Sequence, residues 1–307
     1  MGVSDLVLAI DIGGTKIAAG VVDRDGHVLR SALRSTPVDD AEAAWEQVRS
    51  AVEEVLAGAP AIDGVGIGCA GPVDTTAGTV SPINIAGWQN FPLRTRMVEL
   101  VPGVPVRLGG DGVCMALGEH WRGAGRSSRY LLGMVVSTGV GGGLVLDGRP
   151  YGGRTGNAGH IGHVVVEPDG LPCTCGGRGC VETVAGGPRM VEWARVQGWR
   201  APAGADAAAL AEAARAGDEI ARAAFERGGT AVGMMIAAVA AVCDLDLVVV
   251  GGGVAKAGPL LFDPIRRALD VHAGLSYLSA LRVVPARLGA EAGLVGAAAL
   301  VVPPFGG

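Results

Sequence analysis

Near its N-terminus the chain reads Leu6-Val-Leu-Ala-Ile-Asp-Ile-Gly-Gly-Thr-Lys16, an apolar run followed by a carboxylate, two glycines, a hydroxyl and an amine. Glycines directly after a buried strand leave backbone N–H groups free to bind phosphate oxygens. Asp11 stands at the end of that strand and can hold a magnesium ion through water, since hard cations prefer oxygen ligands. A plain hairpin turn would have the same residues, so this segment alone leaves both interpretations open.

Two later segments favour the phosphate-binding interpretation. The loop Ser137-Thr-Gly-Val-Gly-Gly-Gly143 follows the apolar run 131–136, and Gly251-Gly-Gly253 follows the apolar run 245–250. Three such loops after buried strands suit a nucleotide in a cleft better than three unrelated turns. The candidate nucleotide-binding residues are Asp11, Gly13, Gly14, Thr15, Lys16, Thr138, Gly139, Gly141, Gly251, Gly252 and Gly253.

The order strand, glycine loop, strand, Asp-Gly turn occurs once near residue 11 and again near residue 138. The two copies have little sequence identity, so chance is an alternative to duplication. A duplication predicts two similar α/β lobes whose glycine loops face each other across a cleft. Helices are predicted over 40–57, with Asp39 or Asp40 as the cap, over 259–269, and over the Ala-rich segment 290–302.

A cysteine-rich segment carries the most specific signal. His163 precedes Cys173-Thr-Cys-Gly-Gly-Arg-Gly-Cys180, so three thiolates and one imidazole lie close together in the sequence. This Cys₃His set, made of His163, Cys173, Cys175 and Cys180, has the donors that structural zinc uses. Because all four positions are filled by protein, the ion is predicted to hold the surrounding loop rather than to act in catalysis. Free buried cysteines are the alternative.

A general base is needed if a hydroxyl is to attack a phosphate. The best candidate is Asp111, in Val106-Arg-Leu-Gly-Gly-Asp-Gly112, where a strand ends among glycines that leave room for a ligand. A carboxylate there can accept the hydroxyl proton as the phosphoryl group moves. An aspartate between glycines is also typical of a turn, so the residues alone do not decide its role.

The composition argues against several classes of protein. The chain is 49% hydrophobic and 18% charged, which predicts a globule, and its net charge of -5 gives no reason to expect nucleic acid or an anionic membrane as a partner. No cleavable leader is evident, and the longest apolar run, 231–243, is shorter than a membrane span and is predicted to be a buried helix. We therefore expect a cytoplasmic protein without disulfides. Three further cysteines are predicted to be core residues: Cys69, Cys114 and Cys243.

Together these motifs resemble the ROK (repressor, open reading frame, kinase) family of sugar kinases, within the actin–hexokinase superfamily. Residues 11–16 are similar to its first phosphate motif, 137–143 to its second and 250–253 to its adenosine loop. The stretch 162–182 resembles its zinc-and-sugar signature, and the resemblance covers nearly the whole chain.

The resemblance implies an α/β fold of the two-lobed, actin-like (ribonuclease-H-like) kind. An N-terminal lobe, 1–115, would be completed by the C-terminal helix near 291–307, and a larger C-terminal lobe, 116–290, would carry the zinc loop. It also implies phosphorylation of a hexose-type substrate by MgATP, usually at the 6-hydroxyl, in a homodimer or homotetramer. The catalytic base would be Asp111, and His163 would both bind zinc and touch the sugar. The implied sugar contacts are Gly71, Asn84, Gly110, Asp111, His160, His163 and Glu182.

Two residues depart from the family pattern. The sugar-binding Glu-x-Gly-His of the family reads His160-Ile-Gly-His163 here, so an imidazole replaces a carboxylate. The family's Asn-Asp at the base reads Gly110-Asp111, so a side-chain amide is missing. Losing these groups from a polar pocket should lower the affinity for plain glucose, because such sites discriminate by paired hydrogen bonds. A histidine at the first position resembles some N-acetylmannosamine kinases of this family.

The sequence therefore leaves three functions to compare. The substitutions favour a kinase for an amino, N-acyl or otherwise modified hexose, with kinases acting on kanosamine or cyclitols close to this group. An ordinary glucokinase that tolerates both changes is the alternative. ROK-type repressors are sugar-sensing proteins without catalysis and need a helix-turn-helix ahead of the first strand, which here begins about five residues from the start, so this function is disfavoured.

Overall fold

The computed structural model describes residues 5–302. Within that range the strands are β1 (Leu6–Ile12), β2 (Lys16–Asp23), β3 (Val28–Ser35), β4 (Gly64–Cys69), β5 (Val73–Asp74), β6 (Thr79–Val80), β7 (Val106–Gly110), β8 (Tyr130–Val136), β9 (Val140–Leu146), β10 (Arg149–Tyr151), β11 (Leu247–Gly251) and β12 (Arg282–Pro285). The α-helices are α1 (Ala41–Leu56), α2 (Leu93–Leu100), α3 (Asp111–Trp121), α4 (Glu182–Ala185), α5 (Gly187–Val196), α6 (Ala207–Arg215), α7 (Glu219–Cys243), α8 (Pro259–His272) and α9 (Ala292–Ala299). Short 3-10 helices cover Ile161–His163, Val254–Ala257, Ser276–Ala280 and Gly289–Glu291.

The first five-stranded sheet has the order β3-β2-β1-β4-β7. Strands β1, β2 and β3 form two antiparallel hairpins, and Gly26 in the second turn has a φ of +79°, a conformation that glycine adopts without strain. Strands β4 and β7 run parallel, β4 beside β1 and β7 beside β4. Strand β4 is buried along its whole length and β1 along most of its length, as expected for strands covered on both faces.

The second five-stranded sheet has the order β10-β9-β8-β11-β12. Strands β8, β11 and β12 are parallel, and β9 and β10 form an antiparallel hairpin. The turn of that hairpin is the predicted Asp-Gly pair, in which Asp147 and Gly148 have φ of +56° and +72°. Counted along the chain, both sheets place their strands in the order third, second, first, fourth, fifth. The prediction of two similar α/β arrangements is therefore confirmed at the level of topology.

Helix α1 begins and ends where its sequence signals predict. Asp40 is the N-cap, and its side chain accepts the N–H groups of Glu42 and Ala43 at 3.0 Å. Gly58, directly after the C-cap, has a φ of +65°, the left-handed conformation that commonly ends a helix.

Helix α9 packs closely against α3, β1 and β4. A Cβ on Gly66 in β4 would clash with the carbonyl of Ala297, and a Cβ on Gly296 would clash with the carbonyl of Cys114. Because backbone atoms cannot swing away, both positions require glycine. Part of the high glycine content therefore serves packing between helix and sheet, in addition to the predicted turns and loops.

Helix α7 is long and apolar enough, by length and composition, to cross a membrane. Its apolar face is instead in contact with protein, since it packs against α5, α6 and α8. Gly229 and Gly233 bring α8 close: a Cβ at either position would lie within 2.8 Å of a carbonyl oxygen of α8. The prediction of a buried helix over 231–243 has the right type but the wrong extent, because the helix begins at Glu219.

Contacts between Cα atoms divide the described residues into two compact units. One consists of 5–129, 143–159 and 288–302, and the other of 130–142 and 160–287. Helix α9 belongs to the same unit as the N-terminal strands. The division into lobes 1–115 and 116–290 stays a prediction, since groups defined by contact density are not in themselves parts that fold or move separately.

Candidate active site

The first glycine loop lies in the first unit, between β1 and β2. Its shape is fixed by two hydrogen bonds: the N–H of Gly13 donates to the carbonyl of Lys16 at 2.9 Å, and the hydroxyl of Thr36 donates to the carbonyl of Gly13 at 2.7 Å. Asn84 lies against the loop, because a Cβ on Gly14 would meet its amide group. The structure therefore places one predicted sugar contact, Asn84, beside the predicted phosphate residues.

Asp11 and Asp111 meet at the carboxyl ends of parallel strands. The register pairs Ile12 with Cys69 and Cys69 with Gly110, so β1, β4 and β7 end at the same edge, and helix α3 begins at Asp111. The turn interpretation of Asp111 is therefore wrong: it is the first residue of a helix. Its carboxylate is exposed and accepts the N–H of Gly112 at 2.7 Å.

The two carboxylates influence each other. Burial and then the charge of Asp111 raise the pKa of Asp11 from 3.8 to about 6, although the charge of Lys16 acts in the opposite direction. The same surroundings raise the pKa of the Cys69 and Cys114 thiols, first through burial and then through both aspartates. Two carboxylates that repel each other in a partly buried position fit a divalent cation, which would offset the repulsion.

The second glycine loop lies in the other unit and is shorter than predicted. Only residues 137–139 form the loop, because β9 begins at Val140 and takes in the remaining glycines. The N–H of Ser137 donates to the carbonyl of Gly139 at 2.9 Å, and the N–H of Gly187 donates to the carbonyl of Ser137 at 2.7 Å. Glu182 accepts the N–H of Val140 at 2.9 Å through Oε2.

A cavity of about 360 Å³ opens beside this loop, within the same unit. The second and third glycine segments both reach it, through Ser137 and Thr138 and through Gly253. In the third segment, Gly251 is the last residue of β11, and Gly252 has a φ of +96°. The remaining lining residues come from the starts of α5 and α6 and from nearby positions: Gly187, Pro188, Val191, Arg195, Ala205, Asp206, Ala207, Ala208 and Val254.

The predicted zinc ligands converge in the second unit. The ligand atoms of His163, Cys173, Cys175 and Cys180 all lie within 4.8 Å of one another. Sγ of Cys175 is 3.8 Å from Sγ of Cys180, and Nδ1 of His163 is 3.6 Å from Sγ of Cys173. A zinc tetrahedron with Zn–S of about 2.3 Å and Zn–N of about 2.0–2.1 Å has edges of roughly 3.8 Å (S to S) and 3.6 Å (N to S). The donor set therefore fits zinc in both chemistry and spacing.

The environments of two of the cluster thiols change their pKa in opposite directions. The N–H of Gly177 donates to Cys175, which lowers the pKa of that thiol, whereas burial raises the pKa of Cys180. A dication would favour the thiolate at both positions. Of the other cysteines, Cys69 and Cys114 are buried as predicted and Cys243 is half-buried.

Comparison with known proteins identifies the family. A sequence profile described as the ROK family matches residues 7–303. The chain belongs to the ROK family. The glucokinase of Thermotoga maritima is 34% identical over 316 residues, covering 98% of each chain. The N-acetylmannosamine kinase of Yersinia pseudotuberculosis is 33% identical over 293 residues, covering 95% of this chain and 96% of the relative.

A solved structure shows the same relationship. A ROK family glucokinase from Streptomyces griseus, in complex with glucose and AMPPNP, is 36% identical, with a TM-score of 0.84 and coverage of 96% of this chain and 98% of that chain. The fold class implied by the sequence, a two-lobed actin-like α/β fold, is therefore confirmed for this ROK-family chain. The roles of the individual site residues stay predictions.

The residues that are predicted to contact the sugar are found in each of the two units. Gly71 follows β4, and Gly110 ends β7 beside Asp111. Gly110 has φ of −69° and ψ of 147°, and a Cβ there would meet its nearest atom only at 4.0 Å, so neither the backbone nor a close contact excludes a Cβ. In the second unit, the rings of His160 and His163 have centroids 6.3 Å apart and planes 19° apart.

Sequence reasoning missed several residues of this site. Asn157 bonds Val73 in both directions, accepting its N–H at 2.9 Å and donating to its carbonyl at 2.7 Å, and so holds the segment after Gly71. Arg195 and Asp206 line the cavity. Asp206 caps α6, and an Asp before an Ala-rich run is a helix-start signal that could have located it. Nothing in the local sequence marks Asn157, because its contact is with a residue far away along the chain.

The raised pKa of Asp11 leads to a stability prediction for metal-free protein. The pKa of this carboxyl is 3.8 in the unfolded chain and about 6 in the folded chain. Between pH 3.8 and pH 6 the folded state therefore binds more protons than the unfolded state, and the free energy of unfolding falls as pH rises through this range. Asp11→Asn is therefore expected to be more stable than wild type at pH 7.5 by about 1–2 kcal/mol, a value reduced for partial exposure. This difference in the free energy of unfolding should shrink as pH falls from about 6 to 4. The measurement is urea unfolding of both proteins in the presence of a chelator.

The matched control is Asp39→Asn, the same substitution at an exposed carboxyl of the same unit. It should leave the pH dependence of stability unchanged. An Asp11→Asn variant that is less stable than wild type at pH 7.5 without magnesium would show that the folded state does not penalise the ionised carboxylate.

Proposed function

We propose that this ROK-family sugar kinase transfers the γ-phosphoryl group of ATP to a hydroxyl of a hexose-type sugar, at the 6-position. The observation that carries the proposal is the placement of Asp111 beside Asp11, where the parallel strands end and the first phosphate loop begins. A nucleotide needs a cation and phosphate-binding N–H groups, and the accepting hydroxyl needs a base. The first unit has residues suited to each of these tasks.

In the proposed mechanism, Asp111 accepts the proton of the sugar hydroxyl as its oxygen bonds to the γ-phosphorus. The bond from that phosphorus to the bridging oxygen of the β-phosphate breaks, and ADP leaves with the electron pair. Asp11 would hold Mg²⁺ through water, and the ion would neutralise charge on the phosphates. In the first unit, backbone N–H groups at 14–15 would bind phosphate oxygens, and in the second unit those at 138–139 are suited to the same task.

The nucleoside is proposed to occupy the cavity next to residues 137–138 and 253. Its volume, about 360 Å³, and its mixed lining of backbone, apolar groups and two charged side chains suit a purine nucleoside. A structural zinc held by His163, Cys173, Cys175 and Cys180 would keep the segment leading to Glu182 in place. Since His163 directs Nδ1 at the cluster, its Nε2 would be the atom offered to the sugar.

We infer a modified hexose as the preferred substrate from two residues. A neutral imidazole at His160 offers one acceptor and one donor where the family has a carboxylate, and so suits an N-acyl carbonyl or an apolar substituent. Gly110 removes an amide beside the base, so hydroxyls there lose a partner. A relative named N-acetylmannosamine kinase is 33% identical, so a sugar of that class is among the candidates.

Glucose is the alternative substrate. The relatives named glucokinase are 34–35% identical, and the Streptomyces griseus glucokinase was solved with glucose. These identities are close to that of the N-acetylmannosamine kinase, so overall identity does not separate the two substrates. A cyclitol, or sugar sensing without catalysis, is less well supported.

The test is a coupled ADP-release assay over hexoses, hexosamines, N-acyl hexosamines and cyclitols. A modified hexose should have a kcat/KM at least about tenfold above that of glucose, roughly 1.4 kcal/mol. The double variant Gly110→Asn, His160→Glu should shift the preference towards glucose, and a Cβ at position 110 meets no atom closer than 4.0 Å. A wild-type enzyme that prefers glucose to every other candidate would establish the glucokinase alternative.

The cellular setting is also part of the proposal. We infer a cytoplasmic enzyme that acts on a small sugar and forms a homodimer or homotetramer. Val242 and Tyr277 are exposed apolar side chains in the second unit that lie near each other, since the Tyr277 hydroxyl donates to the carbonyl of Ala241, and contiguous apolar surface is commonly covered on association.

A further inference from the structure

Glu182 makes a contact that its predicted role in sugar binding does not require. Its Oε2 accepts the N–H of Val140 at 2.9 Å, 42 residues away along the chain. Val140 follows directly on the second phosphate loop, 137–139, and begins β9. The side chain is half-buried, so water competes only partly for this hydrogen bond.

Gly139 leaves the space that this contact needs. A Cβ on Gly139 would clash with Oε2 of Glu182, and the next nearest atom would be the carboxyl carbon of Glu182 at 3.2 Å. The φ of Gly139 is not among the positive values, so alanine is compatible with its backbone conformation. The obstacle to a side chain at 139 is therefore the carboxylate itself.

The segment that begins at Glu182 touches the loop at two more points. The N–H of Gly187 donates to the carbonyl of Ser137 at 2.7 Å, and a Cβ on Gly186 would lie 3.0 Å from the carbonyl oxygen of Thr138. Ser137 and Thr138 line the cavity proposed for the nucleoside. The loop is thus held by Gly187 at its start and by Glu182 at its end.

We propose that Glu182 is a positioning residue for the nucleotide, which acts through the second phosphate loop. This inference rests on the proposed function. The carboxylate fixes the N–H of Val140 and thereby the path of residues 137–139, so that the loop is ready for phosphate before the nucleotide binds. Oε1 is the oxygen that would be offered to the sugar, and one side chain would therefore link sugar binding to the shape of the nucleotide loop.

The test measures the affinity of MgADP in the absence of sugar, by titration calorimetry. Glu182→Ala should raise the Kd about tenfold, the effect of losing one charge-assisted hydrogen bond that shapes the loop. Glu182→Gln should stay within about threefold of wild type, because the amide oxygen can still accept from Val140. Hydrogen exchange at the Val140 amide should become faster in Glu182→Ala than in Glu182→Gln.

A double-mutant cycle separates this role from a general loss of structure. Gly139→Ala should weaken MgADP binding in the wild-type background, because the methyl group displaces the carboxylate. The same substitution should have little further effect on Glu182→Ala, in which no carboxylate is left to displace. Gly274→Ala is the matched control, since a Cβ there meets nothing within 4 Å and the residue lies outside the predicted sites, and it should change the MgADP affinity in neither background.

His160→Ala is a second control, because it alters a predicted sugar contact and should leave the sugar-free Kd of MgADP unchanged. Equal MgADP affinities for wild type and Glu182→Ala, or additive effects of Gly139→Ala and Glu182→Ala, would overturn the inference while the kinase activity stands. A wild-type protein that binds no MgADP and phosphorylates no sugar would overturn the proposed function itself.

Discussion

Asp111→Asn is expected to lower kcat by at least about a hundredfold while the protein keeps its fold and binds sugar and nucleotide as before. An amide cannot accept the proton of the attacking hydroxyl. The fold should not change, because Asp111 is exposed and bonds the N–H of Gly112, which an asparagine oxygen can also accept. The measurement is kcat from coupled ADP release at saturating substrates, together with Tm and substrate affinities.

The matched control for this prediction is Asp74→Asn. Asp74 is also exposed and also accepts backbone N–H groups, those of Thr76 and Ala77 at 3.0 and 2.9 Å. Its substitution should leave kcat within a few-fold of wild type. A near wild-type kcat for Asp111→Asn would remove Asp111 from the mechanism, and Asp11 acting through the metal would then be the next candidate.

The fold was predictable because its signals are local and repeated. Apolar runs followed by glycine loops located β1, β8 and β11, and the two Asp-Gly turns located the hairpins β2–β3 and β9–β10. The extent of α7 was missed because its first half is amphipathic rather than uniformly apolar. Asp218 caps it, and Arg222 and Glu226 lie four residues apart on its exposed face, a pattern that a search for apolar runs does not detect.

The site was predictable where neighbours in the sequence are neighbours in space. The zinc ligands are separated by a few residues and a short loop, so their spacing was enough to bring them together. The sequence placed Asp11 and Asp111 each at the end of a strand. Their proximity also required β1, β4 and β7 to be neighbours that end at one edge, and the strand pattern did not show this. The contact of Glu182 with Val140 and the double hydrogen bond of Asn157 with Val73 depend on tertiary packing and carry no local signal.

Glycine runs were the least reliable guide to boundaries. Gly142 and Gly143 were predicted to belong to a loop and lie in β9. A Cβ on Gly142 would come within 2.8 Å of the carbonyl oxygen of Gly133, and a Cβ on Gly143 would clash with Val113. Because glycine serves close packing and loops equally well, its presence alone does not tell one from the other.

The second large effect is expected at the cysteine cluster. Purified protein should contain about one zinc per chain by elemental analysis, and Cys175→Ser should lose most of it. Its Tm should fall by about 10 °C or more, since metal binding contributes to folding free energy. Cys175 suits this test because it is exposed. A serine there removes a ligand but leaves no cavity and no buried hydroxyl, so any large loss of stability must come through the ion.

Chelation distinguishes that explanation from a direct effect of the substitution. A strong chelator should lower the Tm of wild type to about that of Cys175→Ser and should change the variant little, because both proteins then lack the same ion. Cys243→Ser alters a half-buried cysteine outside the cluster, and it should keep its zinc and its sensitivity to chelator. Wild-type protein that has never met chelator and contains no zinc would refute the metal site. A Cys175→Ser variant that loses its zinc but keeps its Tm would instead show that the ion does not support the loop carrying Glu182.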